Sequence, residues 1–154
     1  YFMLNTFIGH GFYKDTSSQE GIPFYVVSAT LKLAIQTINE NEPNLDVSTI
    51  DRFDYVPVIS RNINQEDYKD QQVKAFVIRT RTDVFAEFVY ATEQVDRVFR
   101  TFFVVALNHN EALNELNSLL ENRNQLKNLT VVGMDKILPE YKIFVDFTEI
   151  TPGE

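Results

Sequence analysis

The strongest hydrophobic pattern in the chain lies between residues 73 and 107, where apolar stretches follow one another with only short polar interruptions. β-branched and aromatic residues dominate these stretches, and such residues favour strands. A polar pair, Thr82-Asp83, separates the first stretch from the second, and Glu93-Gln94 separates the second from the third. The predicted strands are Val73–Thr82, Val84–Thr92 and Val95–Leu107. Consecutive strands joined by short turns predict an antiparallel three-strand meander.

The segment before the meander has two interpretations. Phe24–Val27 has the composition of a strand, but its apolar residues also begin a helical pattern. The positions that recur at helical spacing are Phe24, Val27, Leu31, Ile35 and Ile38. We favour a helix, with Pro23 in its first turn or Ser28 as its cap, and with Pro43 beyond its end.

The segment after the meander predicts a second helix. Asn108 is followed three positions later by Glu111, which is the spacing of a capping box. Ala112, Leu113 and Leu116 then recur with the period of a helix and form its apolar face. This helix is expected to end near Asn122.

Four further strands are predicted outside the meander. They are Phe2–Ile8, ended by Gly9-His10-Gly11, then Phe53–Ser60, and finally Leu129–Val132 and Tyr141–Phe147. Runs of strands interrupted by two helices predict an α+β class, a mainly antiparallel sheet with both helices packed on one face. No internal repeat is evident, and the length of 154 residues predicts a single domain spanning residues 1–154.

Pro57 indicates that the strand Phe53–Ser60 lies at the edge of a sheet. Proline has no N–H to donate to a strand ladder, so it is confined to edges, strand starts and bulges. An edge is either protected against pairing or available to a partner that adds a strand. The candidate partner-binding residues are Tyr55, Pro57 and Ile59.

The net charge of −8 is distributed unevenly. Residues 71–127 hold seven basic and seven acidic residues, so the excess of acidic residues lies nearer the two ends. Binding of duplex nucleic acid or of an anionic membrane requires clustered positive charge, which this distribution disfavours. No apolar run approaches the roughly 20 residues that a membrane helix needs. The acidic ends favour solubility or a basic partner.

A single-stranded nucleic acid or a nucleotide is the alternative ligand. Basic residues alternate with aromatic ones in the meander, and bases stack on aromatic rings while arginines hold phosphates. The candidate residues are Lys74, Arg79, Arg81, Arg97 and Arg100. Nearby carboxylates reduce the local positive charge, which favours an ordinary sheet with cross-strand ion pairs instead.

The residue types of the chain give little support for a catalytic function. The absence of cysteine excludes disulfides, thiolate metal sites and a thiol nucleophile. His10 and His109 are the two histidines, and neither has the spacing of a metal or triad motif. The glycine-containing segment at Gly9 lacks a glycine directly before its lysine, so it is not a P-loop. Asp51 and Asp54 do not define a hydrolase pair. No catalytic residue, metal or cofactor is therefore predicted.

These observations lead to a functional hypothesis based on surfaces. The chain is expected to be a non-enzymatic protein-interaction or assembly subunit that binds a protein partner or forms a homo-oligomer. The absence of cysteine and the abundance of asparagine suit a viral or phage structural or accessory protein. No secretory signal pattern begins the sequence, so the expected location is the cytoplasm or a virion.

Overall fold

The computed structural model describes residues 4–14, 20–63, 73–86, 94–121, 129–138 and 140–147, and among these it leaves out the side chains of 82–86, 94–98, 120–121 and 129. In this part of the chain the elements are β1 (Asn5–Tyr13), β2 (Ile22–Ser28), α1 (Leu31–Asn41), β3 (Leu45–Phe53), β4 (Tyr55–Ile59), β5 (Lys74–Ala86), β6 (Gln94–Ala106), α2 (His109–Glu121), β7 (Leu129–Lys136) and β8 (Lys142–Val145). The predicted α+β class is confirmed.

The chain divides into two compact units. Unit 1 comprises residues 1–57 and 137–154, and unit 2 comprises residues 58–136. The described strands form two four-stranded sheets, with orders β3-β1-β2-β8 and β4-β6-β5-β7. The expectation of one sheet covered by both helices is therefore wrong, because each helix packs against its own sheet. Whether the chain behaves as a single domain stays a prediction.

In unit 1, α1 covers one face of the first sheet. β1 pairs antiparallel with both β2 and β3, while β2 pairs parallel with β8. The core consists of Phe7, Phe24, Val26, Ala34, Ile38, Leu45 and Phe144. Side chains of alternate strand positions meet one face of the helix, so apolar burial holds this unit together.

The helix predicted from Phe24 begins later than expected. Phe24–Val27 belongs to β2, and α1 starts at Leu31 with Thr30 as its cap, not Ser28 or Pro23. The Thr30 hydroxyl accepts a hydrogen bond from the Leu33 N–H at 3.1 Å. Phe24, Val26 and Val27 are fully buried, and a strand buried on both faces is apolar at every position, which hides the period that separates strand from helix.

The three-strand meander predicted at about 73–107 is not confirmed, because β5 and β6 are two long strands. They pair antiparallel over their whole length, from Lys74 opposite Ala106 to Ala86 opposite Gln94. The predicted turn at Thr82-Asp83 lies inside β5. A polar pair within a long strand does not by itself end the strand, and the other neighbour of β5 is β7.

α2 follows β6 as predicted. Asn108 Oδ1 accepts a hydrogen bond from the Glu111 N–H at 2.9 Å, which confirms Asn108 as the cap. The helix packs on the second sheet around the core residues Phe76, Ile78, Phe102, Val104, Ala106, Ala112 and Leu116. The Glu111 carboxylate also accepts a hydrogen bond from the buried Ser60 hydroxyl, which joins the start of α2 to the end of β4.

The two units share one topology. In each, a β-hairpin is followed by a helix and by a third strand that pairs with the first strand of the hairpin: β1, β2, α1 and β3 correspond to β5, β6, α2 and β7. Phe24-Tyr25-Val26-Val27 corresponds to Phe102-Phe103-Val104-Val105. Even the register shift recurs, between His10 and Gly11 in β1 and between Arg79 and Thr80 in β5. The structure thus contains an internal repeat of topology that the sequence analysis did not detect.

The fourth strand of each sheet comes from the segment that follows the other repeat. β4 follows β3 but joins the second sheet beside β6, and β8 follows β7 but joins the first sheet beside β2. Equivalent hydrogen bonds end both strands: Ser60 N–H donates to Val105 O at 2.8 Å, and Asp146 N–H donates to Val27 O at 2.9 Å. The two repeats thus exchange their last strands.

Several strand boundaries also differ from prediction. β1 continues through Gly9-His10-Gly11 to Tyr13, and residues 2–3 lie outside the described part. The predicted strand Phe53–Ser60 is two strands, since β3 ends at Phe53 and β4 covers Tyr55–Ile59. Glycines in an extended conformation do not break a strand, and Gly9 lies so close to β3 that an added Cβ would collide with the Thr49 carbonyl oxygen.

Candidate interaction surface

β4 lies at the edge of the second sheet, as Pro57 predicted. Tyr55, Pro57 and Ile59 are half-buried. The Tyr55 carbonyl accepts a hydrogen bond from the Thr6 hydroxyl at 3.1 Å, and the Tyr55 ring packs against Phe53 with centroids 5.8 Å apart. Pro57 cannot donate to an added strand. Partner binding by these three residues stays a prediction, and their geometry limits a ladder on this edge.

The four edge strands of the two sheets are protected to different degrees. β4 contains Pro57, and β8 has only four residues. β3 contains charged residues at Asp46, Asp51 and Arg52. Short length, proline and charge are the usual means of blocking edge pairing. β7 contains neither proline nor charge from Leu129 to Met134, but it has a register shift beside Val132, and a bulge also disfavours edge pairing.

β7 also exposes apolar side chains. Val131 is 41% exposed and Val132 is 58% exposed. At the positions equivalent to these in the first repeat, β3 has the half-buried Val47 and the polar Ser48. Val132 and Ser48 are the extra residues at the two register shifts, where a bulged strand has one residue more than its neighbour. The second repeat thus has an exposed valine where the first has a serine.

The hairpin of β5 and β6 extends beyond its neighbour β7. Among the described residues, β7 pairs with β5 only from Phe76 to Thr82, so Asp83–Ala86 and the β6 residues opposite them form a two-stranded extension. We call residues 83–86 and 94–97 the ribbon. Phe99, at its base and opposite Arg81, is 69% exposed.

Each of the ribbon's two alternating sets of positions holds two apolar and two polar residues. The apolar residues are Val84, Phe85, Ala86 and Val95, and Val98 and Phe99 follow directly. A ribbon with one face in water normally places its apolar residues in one set only. The segment that follows β4 contacts β6 far from the ribbon. There the Ser60 N–H donates a hydrogen bond to the carbonyl of Val105, which lies at the opposite end of β6.

The predicted nucleic-acid residues are divided between the two faces of the second sheet. Arg79 and Arg81 alternate onto the face that Phe99 shares, whereas Lys74 and Arg100 alternate onto the face that α2 covers. Arg97 is opposite Asp83 in the register, and its side chain lies outside the described residues. The structure therefore does not bring all five residues to one surface.

Among these residues, Arg79 contacts two residues of β7. It lies opposite Gly133, where an added Cβ would come within 2.5 Å of its Nη2. The same Nη2 is 3.3 Å from Asp135 Oδ2, in an ion pair with both side chains more than half exposed. The Arg79 guanidinium thus lies over Gly133 and is partly neutralised by Asp135.

The two units differ in charge. Unit 1 contains four basic and eleven acidic residues, a net charge of −7, whereas unit 2 contains ten basic and eleven acidic residues, a net charge of −1. The acidic excess expected near the ends of the chain therefore belongs almost entirely to unit 1. Unit 2 presents its exposed apolar residues on a nearly neutral body.

The histidines have local partners. His10 Nδ1 is 2.7 Å from the Thr49 hydroxyl, and the His109 ring packs against Phe76 with centroids 6.1 Å apart. In the described part of the chain, His, Asp and Glu residues form no group of three or more with metal-binding geometry. Asp51 and Asp54 are both exposed.

A polar cluster in unit 1 links α1 to β8. Lys142 Nζ is 2.5 Å from Glu42 Oε1 and lies 5.5 Å from the centre of the Tyr13 ring. Burial alone would lower the pKa of Lys142, but hydrogen bonds to the Glu42 carboxylate and the Tyr13 hydroxyl outweigh burial and raise this pKa above its ordinary value of 10.5. The pKa of Tyr25 is raised by burial and then by Tyr141 and Tyr55. The cluster is consistent with a structural role.

An open cleft of about 410 Å³ lies at the start of α1, between Phe7, Leu31, Ile50 and Arg52. Asn5 also lines it, and its side-chain amide donates to the Ala29 carbonyl at 2.9 Å. The lining combines a few apolar groups with exposed charges. Nothing in the cleft resembles a set of converging catalytic groups.

None of the helices in the described ranges has the length and apolar character needed to cross a bilayer. No known protein-family model matches the chain, and no curated protein is similar to it.

Proposed function

We propose that this protein is a non-enzymatic interaction or assembly subunit that contacts another protein through the second sheet. The ribbon with Phe99 at its base carries the proposal. A two-stranded ribbon is only marginally stable by itself. Burying a phenylalanine side chain contributes roughly 1.5–3 kcal/mol to stability. Phe99 is 69% exposed, so most of this stabilisation is absent in the isolated chain.

The charge of unit 2 supports the same proposal. Interface cores are depleted of charge and enriched in aromatic residues. Unit 2 combines the exposed Phe99 with a net charge of −1, whereas unit 1 is strongly acidic. A protein surface can therefore approach unit 2 without the electrostatic repulsion that unit 1 exerts on other acidic chains. A virion or cytoplasmic setting belongs to this proposal and rests on composition alone.

Photo-crosslinking at position 99 tests the proposal. A photoreactive phenylalanine analogue replaces Phe99 in the full chain, and in a matched control it replaces Phe53, which is 43% exposed on unit 1. Both variants are irradiated as purified protein and in lysate of the source. We expect adducts from position 99, to a partner protein or to a second copy, in several-fold excess over position 53.

Two outcomes would overturn the interaction proposal. One is the absence of protein adducts from position 99 under both conditions. The other is an equal yield from positions 99 and 53, which would mean that any exposed aromatic side chain gives the same adducts. Circular dichroism of both variants establishes that each keeps the wild-type fold.

Single-stranded nucleic acid remains the second candidate ligand because Phe99 lies exposed opposite Arg81, with Arg79 on the same face. Stacking on an aromatic ring contributes about 1–3 kcal/mol per base. A salt titration with labelled RNA and DNA measures the affinity of the chain for single strands. Affinity that falls steeply with salt and is lost in an Arg79, Arg81, Arg97 and Arg100 quadruple variant would favour this candidate over the protein interface.

A further inference from the structure

We infer that the first sheet has a docking surface of its own, which binds a basic segment of another protein through cation–π contacts. This surface lies on the side of the sheet that α1 does not cover. We call it the aromatic face, and its half-buried rings are His10, Phe12, Tyr25 and Tyr141. The inference goes beyond the proposed function, which concerns the second sheet, and neither depends on the other.

The rings of the aromatic face form two inclined pairs. The His10 and Phe12 rings have centroids 5.9 Å apart and an interplanar angle of 78°. The Tyr25 and Tyr141 rings have centroids 5.3 Å apart and an angle of 43°. Neither pair is stacked face to face, so each pair keeps ring surface for a third group. The face of an aromatic ring attracts a cation, and arginine also stacks on it.

The internal repeat shows what distinguishes the two sheets at this place. The registers of the two hairpins align Phe12 with Arg81 and Gly21 with Phe99, with Phe12 and Gly21 one position beyond the paired part of the first hairpin. The second sheet therefore has an arginine opposite an exposed ring. The first sheet has a ring in place of that arginine and a glycine in place of that ring.

Gly21 leaves space beside the first pair of rings. A Cβ at this exposed glycine would lie 3.3 Å from His10 Cδ2 and 3.8 Å from Phe12 Cζ. Any side chain at this position would therefore cover the edge of both rings. The glycine keeps the pair accessible to a group from outside the chain.

The described residues of unit 1 supply no cation to the aromatic face. The four basic residues of this unit are Lys14, Lys32, Arg52 and Lys142. Lys32 belongs to α1, and Arg52 is opposite the core residue Phe7, on the side that α1 covers. The other two are in ion pairs, Lys14 with Asp46 at 3.4 Å and Lys142 with Glu42.

Charge selects a basic segment as the occupant. Unit 1 has a net charge of −7, so it attracts basic chains and repels acidic ones. The exposed Asp51 alternates onto the same side as Tyr25, because Ile8 is paired with both residues. An arginine or lysine from a partner thus meets aromatic rings and a carboxylate on one surface.

Fluorescence anisotropy with a labelled oligoarginine peptide tests this inference on the full chain. The variant is Phe12→Arg, which supplies a cation from within, at the position equivalent to Arg81. Asn39→Arg is the matched control, because it adds the same charge at an exposed position of α1. We expect wild type and Asn39→Arg to bind with similar affinity, and Phe12→Arg to bind about tenfold more weakly.

Two further variants at position 12 separate the ring from its apolar bulk. Phe12→Tyr keeps a ring and should bind oligoarginine as wild type does. Phe12→Leu keeps an apolar side chain without a ring and should bind more weakly. Equal affinity of these two variants would show that no cation–π contact is made at this position.

A second pair of variants keeps the test decisive if Phe12→Arg does not fold. Asp51→Lys reverses an exposed charge on the aromatic face, and Glu40→Lys makes the same reversal at an exposed position of α1. Asp51→Lys should weaken binding several-fold more than Glu40→Lys. Circular dichroism checks that each variant is folded.

Three results would overturn the inference. The first is a wild type that does not bind oligoarginine, or that binds oligoglutamate of the same length equally well. The second is an equal loss of affinity in each variant and its matched control, which would reduce the effect to the overall charge of unit 1. The third is loss of binding in Phe99→Ser, which would place the site on the second sheet.

Discussion

Gly9 and Gly133 both lie on strands where another group occupies the space that a Cβ would need, but the two groups differ in mobility. At Gly9 the obstacles are the backbone of β3 and the ring of Phe24. At Gly133 the obstacle is the far end of the Arg79 side chain. Backbone in a paired strand cannot move without disturbing the ladder, whereas an exposed guanidinium can rotate away.

This difference predicts unequal costs of adding one methyl group. Gly9→Ala should lower the free energy of unfolding by about 1–3 kcal/mol, the usual cost of overpacking. Gly133→Ala should lower it by less than about 1 kcal/mol, because only the partly exposed Arg79–Asp135 pair is disturbed. Urea unfolding of both variants measures the two values. Equal losses would contradict the distinction.

The Glu42–Lys142 pair predicts a dependence of stability on alkaline pH. The folded-state pKa of Lys142 is raised, so the stabilisation is complete below its ordinary value of 10.5 and is lost as pH rises through the folded-state pKa. Glu42→Gln should therefore cost up to about 1 kcal/mol at pH 8 and should flatten the decline above pH about 10.5.

Urea unfolding at pH 8 and pH 11 measures this dependence. Glu40→Gln is the matched control on the same helix, where the exposed Glu40 carboxylate accepts a hydrogen bond from the Gln36 amide. It should change stability by a few tenths of a kcal/mol at either pH. A Glu42→Gln variant that matches Glu40→Gln at pH 8 would show that the pair with Lys142 does not stabilise the fold.

At the scale of elements, the caps of the two helices occupy equivalent positions but use different side chains. Thr30 and Asn108 each accept a hydrogen bond from the N–H three residues later. Only Asn108 was predicted, because Glu111 completes its capping box, while Leu33 occupies the corresponding position after Thr30. Local chemistry therefore identified one helix start and not the other.

Replacing either cap should destabilise the protein similarly. Thr30→Ala and Asn108→Ala each remove the acceptor for an N–H at a helix start, at a cost of about 1 kcal/mol. Thr30→Asn should retain most of the stability because asparagine is an equally good cap. Thermal unfolding followed by circular dichroism measures the three variants. Full stability of either alanine variant would contradict the assigned cap.

How far the elements could be predicted depended on burial. The α+β class, the helix after Asn108 and the edge position of β4 followed from periodicity, capping and Pro57. β2 was taken for a helix because its residues are buried on both faces and show no alternation.

At the scale of the whole molecule, the exchange of last strands links two units that share a topology. β4 and β8 each leave one repeat to complete the other repeat's sheet. The repeat was not evident from sequence because the hairpin turns and connections differ in length, although the strand-to-helix segments of the two repeats align without a gap. Topology and register make the correspondence visible.

The exchanged strands predict one cooperative unfolding transition, in agreement with the single-domain expectation. Ile38→Ala in unit 1 and Leu116→Ala in unit 2 each remove a fully buried side chain, at a cost of about 2–5 kcal/mol. Each should also lower the hydrogen-exchange protection of slowly exchanging amides in both units. Loss of protection confined to the mutated unit would show that the units unfold independently.

Hydrogen exchange of the wild-type chain, with and without the protein that crosslinks to position 99, tests the central claim, that the second sheet of this protein makes its protein contacts. Adding that partner, or raising the concentration where the adduct is a second copy, should slow exchange in residues 94–106 on β6 and leave residues 45–53 on β3 unchanged. Unchanged exchange on β6, or slowed exchange on β3 instead, would contradict it.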